Sequence, residues 1–149
     1  MEEELIAPCG MNCGICSGYL AWYHDVKNKG IKMPYCKGCR SRDKQCAFLK
    51  KRCKLLLNKE VKYCFECSDF PCKNLNHIDK RYRTHYKMSM IENLKLIRDK
   101  GVNQLLISEK KNWKCPNCSG VICCHNGICF NCSLELLRQK IQKYRWENN

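Results

Sequence analysis

The chain reads Trp113-Lys114-Cys115-Pro116-Asn117-Cys118, then ten further residues, then Cys129-Phe130-Asn131-Cys132, and these two cysteine pairs determine how the region folds. Two cysteines three positions apart on a tight turn can reach one ion, and two such turns supply the four tetrahedral ligands of a structural zinc site. Gly120 and Asn126-Gly127 permit the chain to turn back between the pairs. The spacing therefore predicts a zinc ribbon whose closed four-cysteine site serves folding rather than catalysis.

Cysteine is far more abundant here than in ordinary soluble proteins, with 16 cysteines among 149 residues. Five pairs have the Cys-x-x-Cys spacing: Cys13/Cys16, Cys36/Cys39, Cys64/Cys67, Cys115/Cys118 and Cys129/Cys132. The segment Met1-Glu2-Glu3-Glu4 does not resemble a secretory signal, and no stretch approaches the roughly 18 apolar residues of a membrane span. We therefore expect a cytoplasmic protein whose thiols bind metal ions, because disulfides do not persist in a reducing compartment.

Ten cysteines lie between Cys9 and Cys72, and they are predicted to hold about two or three further ions. One partition assigns them to three ions: Cys53/Cys64/Cys67/Cys72, Cys36/Cys39/Cys46 and Cys9/Cys13/Cys16. That partition leaves two ligand positions for histidines such as His24, His77 or His85, whereas an alternative closes two four-cysteine sites and leaves two thiols over. With the ribbon, the expected content is about three to four zinc ions per chain.

Cys9, Cys13 and Cys16 also have the Cys-x3-Cys-x2-Cys spacing by which radical S-adenosylmethionine enzymes hold an iron–sulfur cluster. Such enzymes need a series of βα units, and the sequence contains almost no strand pattern, so we do not expect that activity. A non-catalytic iron–sulfur cluster at these three cysteines is the alternative to zinc, because thiolates alone do not select between the two metals.

Cys123, Cys124 and His125 lie in the loop of the predicted ribbon. They could bind a second ion, replace a ligand or provide a reactive thiol. Because four suitable ligands already surround the predicted ion, we expect these three residues to pack around the site instead.

Apolar residues outside the cysteine clusters recur at helical spacing, so we expect a mainly α, metal-stabilised protein with little β structure. Helices are predicted over residues 18–29, 46–59, 90–100, 102–110 and 134–144. Short strands are expected only around the last metal site. The predicted organisation is a cysteine-rich helical metal-binding domain over residues 1–86, a helical connector over 87–112, and a zinc ribbon with a C-terminal helix over 113–149.

The chain carries a formal net charge of +14, and its basic residues are unevenly distributed. Residues 27–59 contain twelve Lys or Arg and one acid, Asp43, together with the aromatic residues Tyr35 and Phe48. Part of this charge balances the metal sites, because four thiolates around one zinc ion carry a net negative charge. The remainder predicts a binding or adaptor module for an acidic partner, either nucleic acid or an acidic protein. A solvated basic surface without a partner is the alternative.

Two other functions are compatible with the cysteine pattern: a thiol-redox or iron–sulfur protein, and a protein that stores or delivers metal. Storage predicts labile metal and little loss of fold on chelation, whereas structural sites predict unfolding. The sequence contains no nucleotide-binding glycine loop, nucleophile elbow or paired catalytic carboxylates, so a non-enzymatic role is favoured.

Three motifs in the first half of the chain carry a family resemblance: Cys9-Gly10-Met11-Asn12-Cys13-Gly14-Ile15-Cys16, Cys36-Lys37-Gly38-Cys39 and Cys64-Phe65-Glu66-Cys67-Ser68-Asp69-Phe70-Pro71-Cys72. Together they resemble the uncharacterised cysteine-rich prokaryotic family called domain of unknown function 3795, over roughly residues 7–80. The C-terminal zinc ribbon is similar to an addition found in some relatives. The resemblance implies one metal-dependent unit from Cys9 to Cys72, and it implies no reaction or substrate.

Overall fold

The computed structural model describes residues 1–42 and 52–140 of the chain. Its α-helices within these residues are α1 Ser17–Tyr23, α2 Lys54–Leu57, α3 Lys73–His85, α4 Met90–Lys100, α5 Val102–Asn112 and α6 Leu134–Gln139. Short 3₁₀ turns occupy Glu3–Leu5, Cys13–Ile15, Val26–Lys29 and Cys64–Glu66. In the described ranges β structure is limited to isolated bridges, which join Ile6 to Asn12, Lys114 to Val121 and Ile122 to Cys129. The prediction of a mainly α protein with little β structure is confirmed.

Helices α4 and α5 confirm the two helices predicted between the cysteine clusters. Ser89 caps α4, because its hydroxyl accepts a 3.1 Å hydrogen bond from the backbone amide of Glu92. Gly101 adopts φ 89° between the helices, a conformation that glycine tolerates without steric cost. The chain reverses there, and α5 packs against α4.

Helix α1 is shorter than the helix predicted over residues 18–29. It ends at Tyr23, and Asp25 adopts a left-handed backbone with φ 50°. A residue in that conformation interrupts the helical hydrogen-bond ladder, so the chain continues as the 3₁₀ turn Val26–Lys29.

Helix α3 was not predicted from the sequence. Cys72 caps it, since its Sγ accepts a hydrogen bond from the amide of Leu75 at 3.5 Å. The predicted 46–59 helix is represented by α2, and the predicted 134–144 helix by α6. The remaining parts of those predictions, including Cys46, fall in 43–51 and 141–149, outside the described residues.

Two apolar clusters form the core, and both connect the N-terminal segment with the C-terminal one. The first joins the N-terminal turn to α3, α4 and α5 and includes Ile15, Leu75, Leu94, Trp113 and Cys124. The second joins residues 20–33 to the ribbon and α6 and includes Leu20, Val26, Cys123, Phe130 and Leu137. Residues from all three predicted segments, 1–86, 87–112 and 113–149, contribute to these clusters, and the division of the chain at those boundaries stays a prediction.

Asp79 links α3 to the start of α4 from a buried position, with 1% of the residue exposed. Its carboxylate accepts hydrogen bonds from Ser89 Oγ at 2.7 Å and from the amide of Ile91 at 3.0 Å. The exposed Arg83 guanidinium, 2.7 Å away, supplies its counter-charge. These donors satisfy a carboxylate that would otherwise be costly to bury.

Gly10, in the first cysteine motif, lies directly against α4. It adopts φ 88°, and a Cβ atom at this position would collide with the carbonyl oxygen of Met90. Asn93 of α4 donates a 2.9 Å hydrogen bond to the Gly10 carbonyl. A glycine after Cys9 is thus required for the N-terminal turn to pack closely against α4.

Every helix in the described part of the chain is too short or too polar to cross a bilayer.

Candidate metal centre

The four ribbon cysteines, Cys115, Cys118, Cys129 and Cys132, converge on one point. Their Sγ atoms all lie within 4.8 Å of one another. The Cys115–Cys132 and Cys118–Cys129 sulfur separations are 3.7 and 3.5 Å. Four sulfurs placed tetrahedrally about 2.3 Å from one zinc ion would be about 3.8 Å apart. This arrangement could bind a metal ion, as the spacing predicted.

Backbone hydrogen bonds hold the two cysteine turns in this arrangement. In the first turn, the amide of Cys115 donates to the carbonyl of Gly120 at 2.7 Å, and the amide of Ser119 donates to the carbonyl of Cys115 at 2.9 Å. In the second, the amide of Ser133 donates to the carbonyl of Cys129 at 3.0 Å. The short bridges between Lys114–Val121 and Ile122–Cys129 join the turns. The site is therefore formed by local backbone structure rather than by distant contacts.

Hydrogen bonds make the thiol of Cys118 acidic. The Asn131 side-chain amide and the Gly120 backbone amide each donate to Cys118 Sγ at 3.4 Å. They lower the pKa of Cys118 to about 6, with the Asn131 bond as the larger cause. Backbone amides of Cys118 and Asn117 likewise lower the pKa of Cys115. Cys118 is thus available as a thiolate near neutral pH, the form that binds metal.

Asn131 is the functional residue that the sequence reasoning missed. It occupies the position immediately before the last ribbon cysteine, and its side chain donates to a sulfur of the candidate site without being a ligand itself. The signal was present, because an amide side chain inside a Cys-x-x-Cys turn lies close to the sulfurs of the facing turn.

The N-terminal cysteines are placed differently from the ribbon cysteines. Among residues 1–42 and 52–140, the ribbon set is the one group of three or more potential ligands within 4.8 Å of one another. Cys9, Cys13 and Cys16 do not form such a group. Burial raises the pKa of the Cys9 thiol, and it raises that of Cys16 to about 11.

Cys36 and Cys39 lie beside this first motif. The backbone amide of Cys39 donates to Cys13 Sγ at 3.3 Å, and the amide of Gly38 donates to Cys36 Sγ at 3.4 Å. The N-terminal turn and the Cys36/Cys39 turn are therefore in contact. Cys46, the third member of that predicted set, lies outside the described residues.

Cys53, Cys64, Cys67 and Cys72 line one cavity of about 260 Å³, so the structure brings this predicted set to one place. Burial raises the pKa of Cys64 to about 12, and the neighbouring charges of Cys53, Cys72 and Cys67 act in the same direction. The four thiols are thus close enough to interact electrostatically. No disulfide joins the cysteines of the described ranges.

His125 lies in a buried network between the ribbon loop and the rest of the protein. Its Nδ1 accepts a 3.2 Å hydrogen bond from the amide of Ser17, and its Nε2 is 3.2 Å from the hydroxyl of Tyr82. Because Nδ1 accepts, the neutral ring carries its proton on Nε2 and donates to Tyr82. Burial lowers the pKa of His125 to about 4, with a smaller contribution from Arg81.

The other loop residues and histidines do not join the converged group. Cys123 and Cys124 are fully buried in the two apolar clusters, as expected for packing residues. His24 is half-buried at the end of α1, and His77 and His85 are exposed on α3.

Comparison with known proteins supports the resemblance inferred from the cysteine motifs. Residues 5–77 match the model of a family described as a protein of unknown function (DUF3795). No curated protein and no solved structure matches the chain. The ribbon lies outside the matched region.

Proposed function

With residues 5–77 assigned to the DUF3795 family, we propose that this protein is a zinc-stabilised binding module for single-stranded nucleic acid. In this proposal, the metal folds the ribbon, and an aromatic, basic surface beside the ribbon contacts the nucleic acid. The metal-binding role in this proposal rests on the four ribbon sulfurs, which lie within 4.8 Å of one another.

The ligand set favours zinc. Four soft thiolate ligands at tetrahedral spacing suit Zn²⁺, and together they leave no open position for a substrate. Such an ion contributes directly to folding. The ribbon packs on α1 and residues 26–33 through Phe130 and Leu137, so the ion also fixes the surface next to α1.

A groove of about 380 Å³ lies on the surface where α1, the ribbon and the N-terminal turn meet. Tyr19, Tyr23 and His24 line its α1 side, and Gly120, Val121 and Asn131 line its ribbon side. Asn131 also donates to the Cys118 sulfur, so one wall of the groove is attached to the metal centre. Metal binding would therefore set the width of the groove.

Aromatic rings on α1 offer stacking surfaces at the edge of this groove. Tyr23 is 66% exposed, and its ring lies 6.1 Å from that of Tyr19 at an interplanar angle of 25°. Trp22 lies 5.6 Å from Tyr19. Bases stack on such rings with little sequence preference, which is typical of single-strand binding.

Positive charge lies next to the rings. Lys37 Nζ is 5.5 Å from the Trp22 ring centroid, and Lys27 Nζ is 4.4 Å from that of Tyr35. Lys29 and Lys32 are exposed on the same segment. Lysines beside stacking rings would contact the phosphates of a strand whose bases stack on the aromatic residues.

Fluorescence anisotropy with a labelled single-stranded oligonucleotide tests the proposal. We expect binding that weakens steeply between low and high salt, and about tenfold weaker binding for Tyr23→Ala. Ile107→Ala, which removes an equally exposed apolar side chain on α5, is the matched control. Absent or salt-insensitive binding, or equal effects of the two substitutions, would overturn the proposal. Preference for polyglutamate over the oligonucleotide would redirect it to an acidic protein.

A further inference from the structure

Cys53, Cys64, Cys67 and Cys72 come from three separate elements but face one cavity. Cys53 precedes α2, Cys64 begins a 3₁₀ turn that Cys67 follows, and Cys72 caps α3. The remaining walls are largely apolar, formed by Leu55, Leu56, Val61, Phe70 and Leu75. Four cysteines that line one half-open, mostly apolar cavity offer a donor set for a soft metal centre.

The spacing of these sulfurs differs from that of the ribbon. Among the described residues the ribbon sulfurs alone converge within 4.8 Å, so no three of the cavity sulfurs do so. A single zinc ion would need sulfurs about 3.8 Å apart. A cluster of several irons presents a different iron to each thiolate and so holds its ligand sulfurs farther apart.

We propose that the cavity lined by Cys53, Cys64, Cys67 and Cys72 binds a [4Fe–4S] cluster. The volume of about 260 Å³ accommodates a polynuclear centre and far exceeds what one ion needs. With a thiolate on each iron, no iron is left open for substrate. The cluster therefore supports folding or electron transfer and not the activation of S-adenosylmethionine.

Backbone amides point at two of the ligand sulfurs. The amide of Asp69 donates to Cys67 Sγ at 3.4 Å, and the amide of Leu75 donates to Cys72 Sγ at 3.5 Å. The first bond has the same two-residue offset as the bond from Gly120 to Cys118 in the ribbon. Amide donors of this kind stabilise thiolates and tune the potential of iron–sulfur clusters.

The surroundings of the cavity also favour a negatively charged cluster. Helix α3 has 13 residues and begins at Lys73, directly after the ligand Cys72, so its positive dipole end faces the site. Two basic residues, Arg52 and Lys54, and one acidic residue, Asp69, line the cavity as well. The helix end and the two basic side chains would offset part of the charge of four thiolates.

The full chain, reconstituted anaerobically with ferric iron, a thiol reductant and sulfide, tests the proposal. We expect about four irons and four acid-labile sulfides per chain, with a [4Fe–4S] Mössbauer signature. Cys67→Ser and Cys72→Ser should each lower the iron content at least severalfold while the ribbon ion is retained. Cys132→Ser, in the ribbon, should lose the ribbon ion and keep the iron.

The wild-type measurement decides the outcome even where a variant fails to fold. A colourless wild-type protein that contains zinc alone would overturn the proposal. Iron content that is unaffected by Cys67→Ser but lost in Cys9→Ser would place the cluster elsewhere and would overturn it equally. The oligonucleotide-binding result does not bear on these measurements, so the two proposals fail independently.

Discussion

The side-chain amide of Asn12 donates a 3.0 Å hydrogen bond to the carboxylate of Glu109, although the two residues are 97 positions apart. Both are buried, with 0% of Asn12 and 6% of Glu109 exposed. The Asn12 Oδ1 atom also accepts a 2.9 Å bond from the amide of Gly14. One amide therefore shapes the first cysteine motif and attaches it to α5.

Asn12→Ala should destabilise the protein by about 1–3 kcal/mol, because the buried Glu109 carboxylate loses one of its donors and keeps the side chain of Trp113 as another. Urea unfolding followed by circular dichroism measures the change. Asn103→Ala, on the exposed side of α5, should change the free energy of unfolding by less than about 0.5 kcal/mol. Equal effects of the two substitutions would show that the bond contributes little.

Asn131→Ala should weaken zinc binding in a pH-dependent way. Loss of the Asn131 bond, the larger cause of the low pKa of Cys118, raises that pKa from about 6 toward its ordinary value. Protons then compete with zinc at a higher pH, so the affinity should fall about 10-fold or more near neutral pH and recover toward pH 9.

Competition with a chromophoric chelator across that pH range measures the effect. Asn117→Ala is the matched control, because Asn117 holds the same position in the first ribbon turn as Asn131 in the second. An affinity loss that is constant with pH would indicate a steric effect of the Asn131 substitution and not a change in thiol acidity.

Removal of metal with a strong chelator should unfold the ribbon. Its core residue Phe130, fully buried, is held by the two cysteine turns, and the ion supplies much of the folding energy of such sites. Hydrogen exchange should show loss of protection over 113–133 before α4 and α5 lose theirs. Retained protection throughout, with readily exchanged metal, would favour metal storage or delivery instead.

Asp79→Ala should cost about 1–3 kcal/mol, because it removes the acceptor shared by Ser89 and Ile91, whereas its ion-pair partner Arg83 is exposed to water. Thermal unfolding measures this loss. Arg83→Ala removes the other partner of this ion pair, a residue that is exposed to solvent. If Arg83→Ala were as damaging as Asp79→Ala, the charge pair would matter more than the backbone and hydroxyl bonds.

Because of His125, the free energy of unfolding should decrease as the pH falls below about 6.5. The unfolded histidine takes up a proton near that pH, whereas burial lowers the folded pKa to about 4. The contribution is fully present above pH 6.5 and is lost progressively toward pH 4, amounting to about 3 kcal/mol at most.

The difference in the free energy of urea unfolding between wild type and His125→Gln reports the contribution of His125. Loss of metal at low pH affects both proteins and so cancels in this difference. That difference should shrink as the pH falls through the window. The same comparison with His85→Gln, at an exposed position on α3, should be independent of pH. A constant difference for His125→Gln would mean that the ring does not remain neutral in the folded protein.

Local patterns in the sequence predicted the parts of the fold that depend on local physics. The ribbon follows from two Cys-x-x-Cys turns and a turn-forming loop, and α4 follows from the cap at Ser89 and the stop at Gly101. Helix α3 was missed because it is strongly polar, and its buried face consists of Leu75, Ile78, Asp79 and Tyr82. An acidic residue on the buried face obscures the apolar periodicity.

Contacts between distant residues could not be predicted in the same way. Nothing at position 12 indicates that its amide meets Glu109, and nothing in the ribbon loop indicates that His125 meets Ser17 and Tyr82. Such pairs follow from the packing of whole elements, which periodicity along one chain does not specify. Cys53, Cys64, Cys67 and Cys72, one set of the predicted partition, line one cavity, and the assignment of cysteines to individual ions stays a prediction.

The ribbon loop also has a consequence for biosynthesis. The amide of Cys124 donates to the carbonyl of Ile15 at 2.9 Å, and His125 accepts from Ser17, so residues made late in translation complete the first cysteine motif. A nascent chain that has not yet reached position 125 cannot form these bonds. The N-terminal turn should therefore reach its final packing only after the ribbon has left the ribosome.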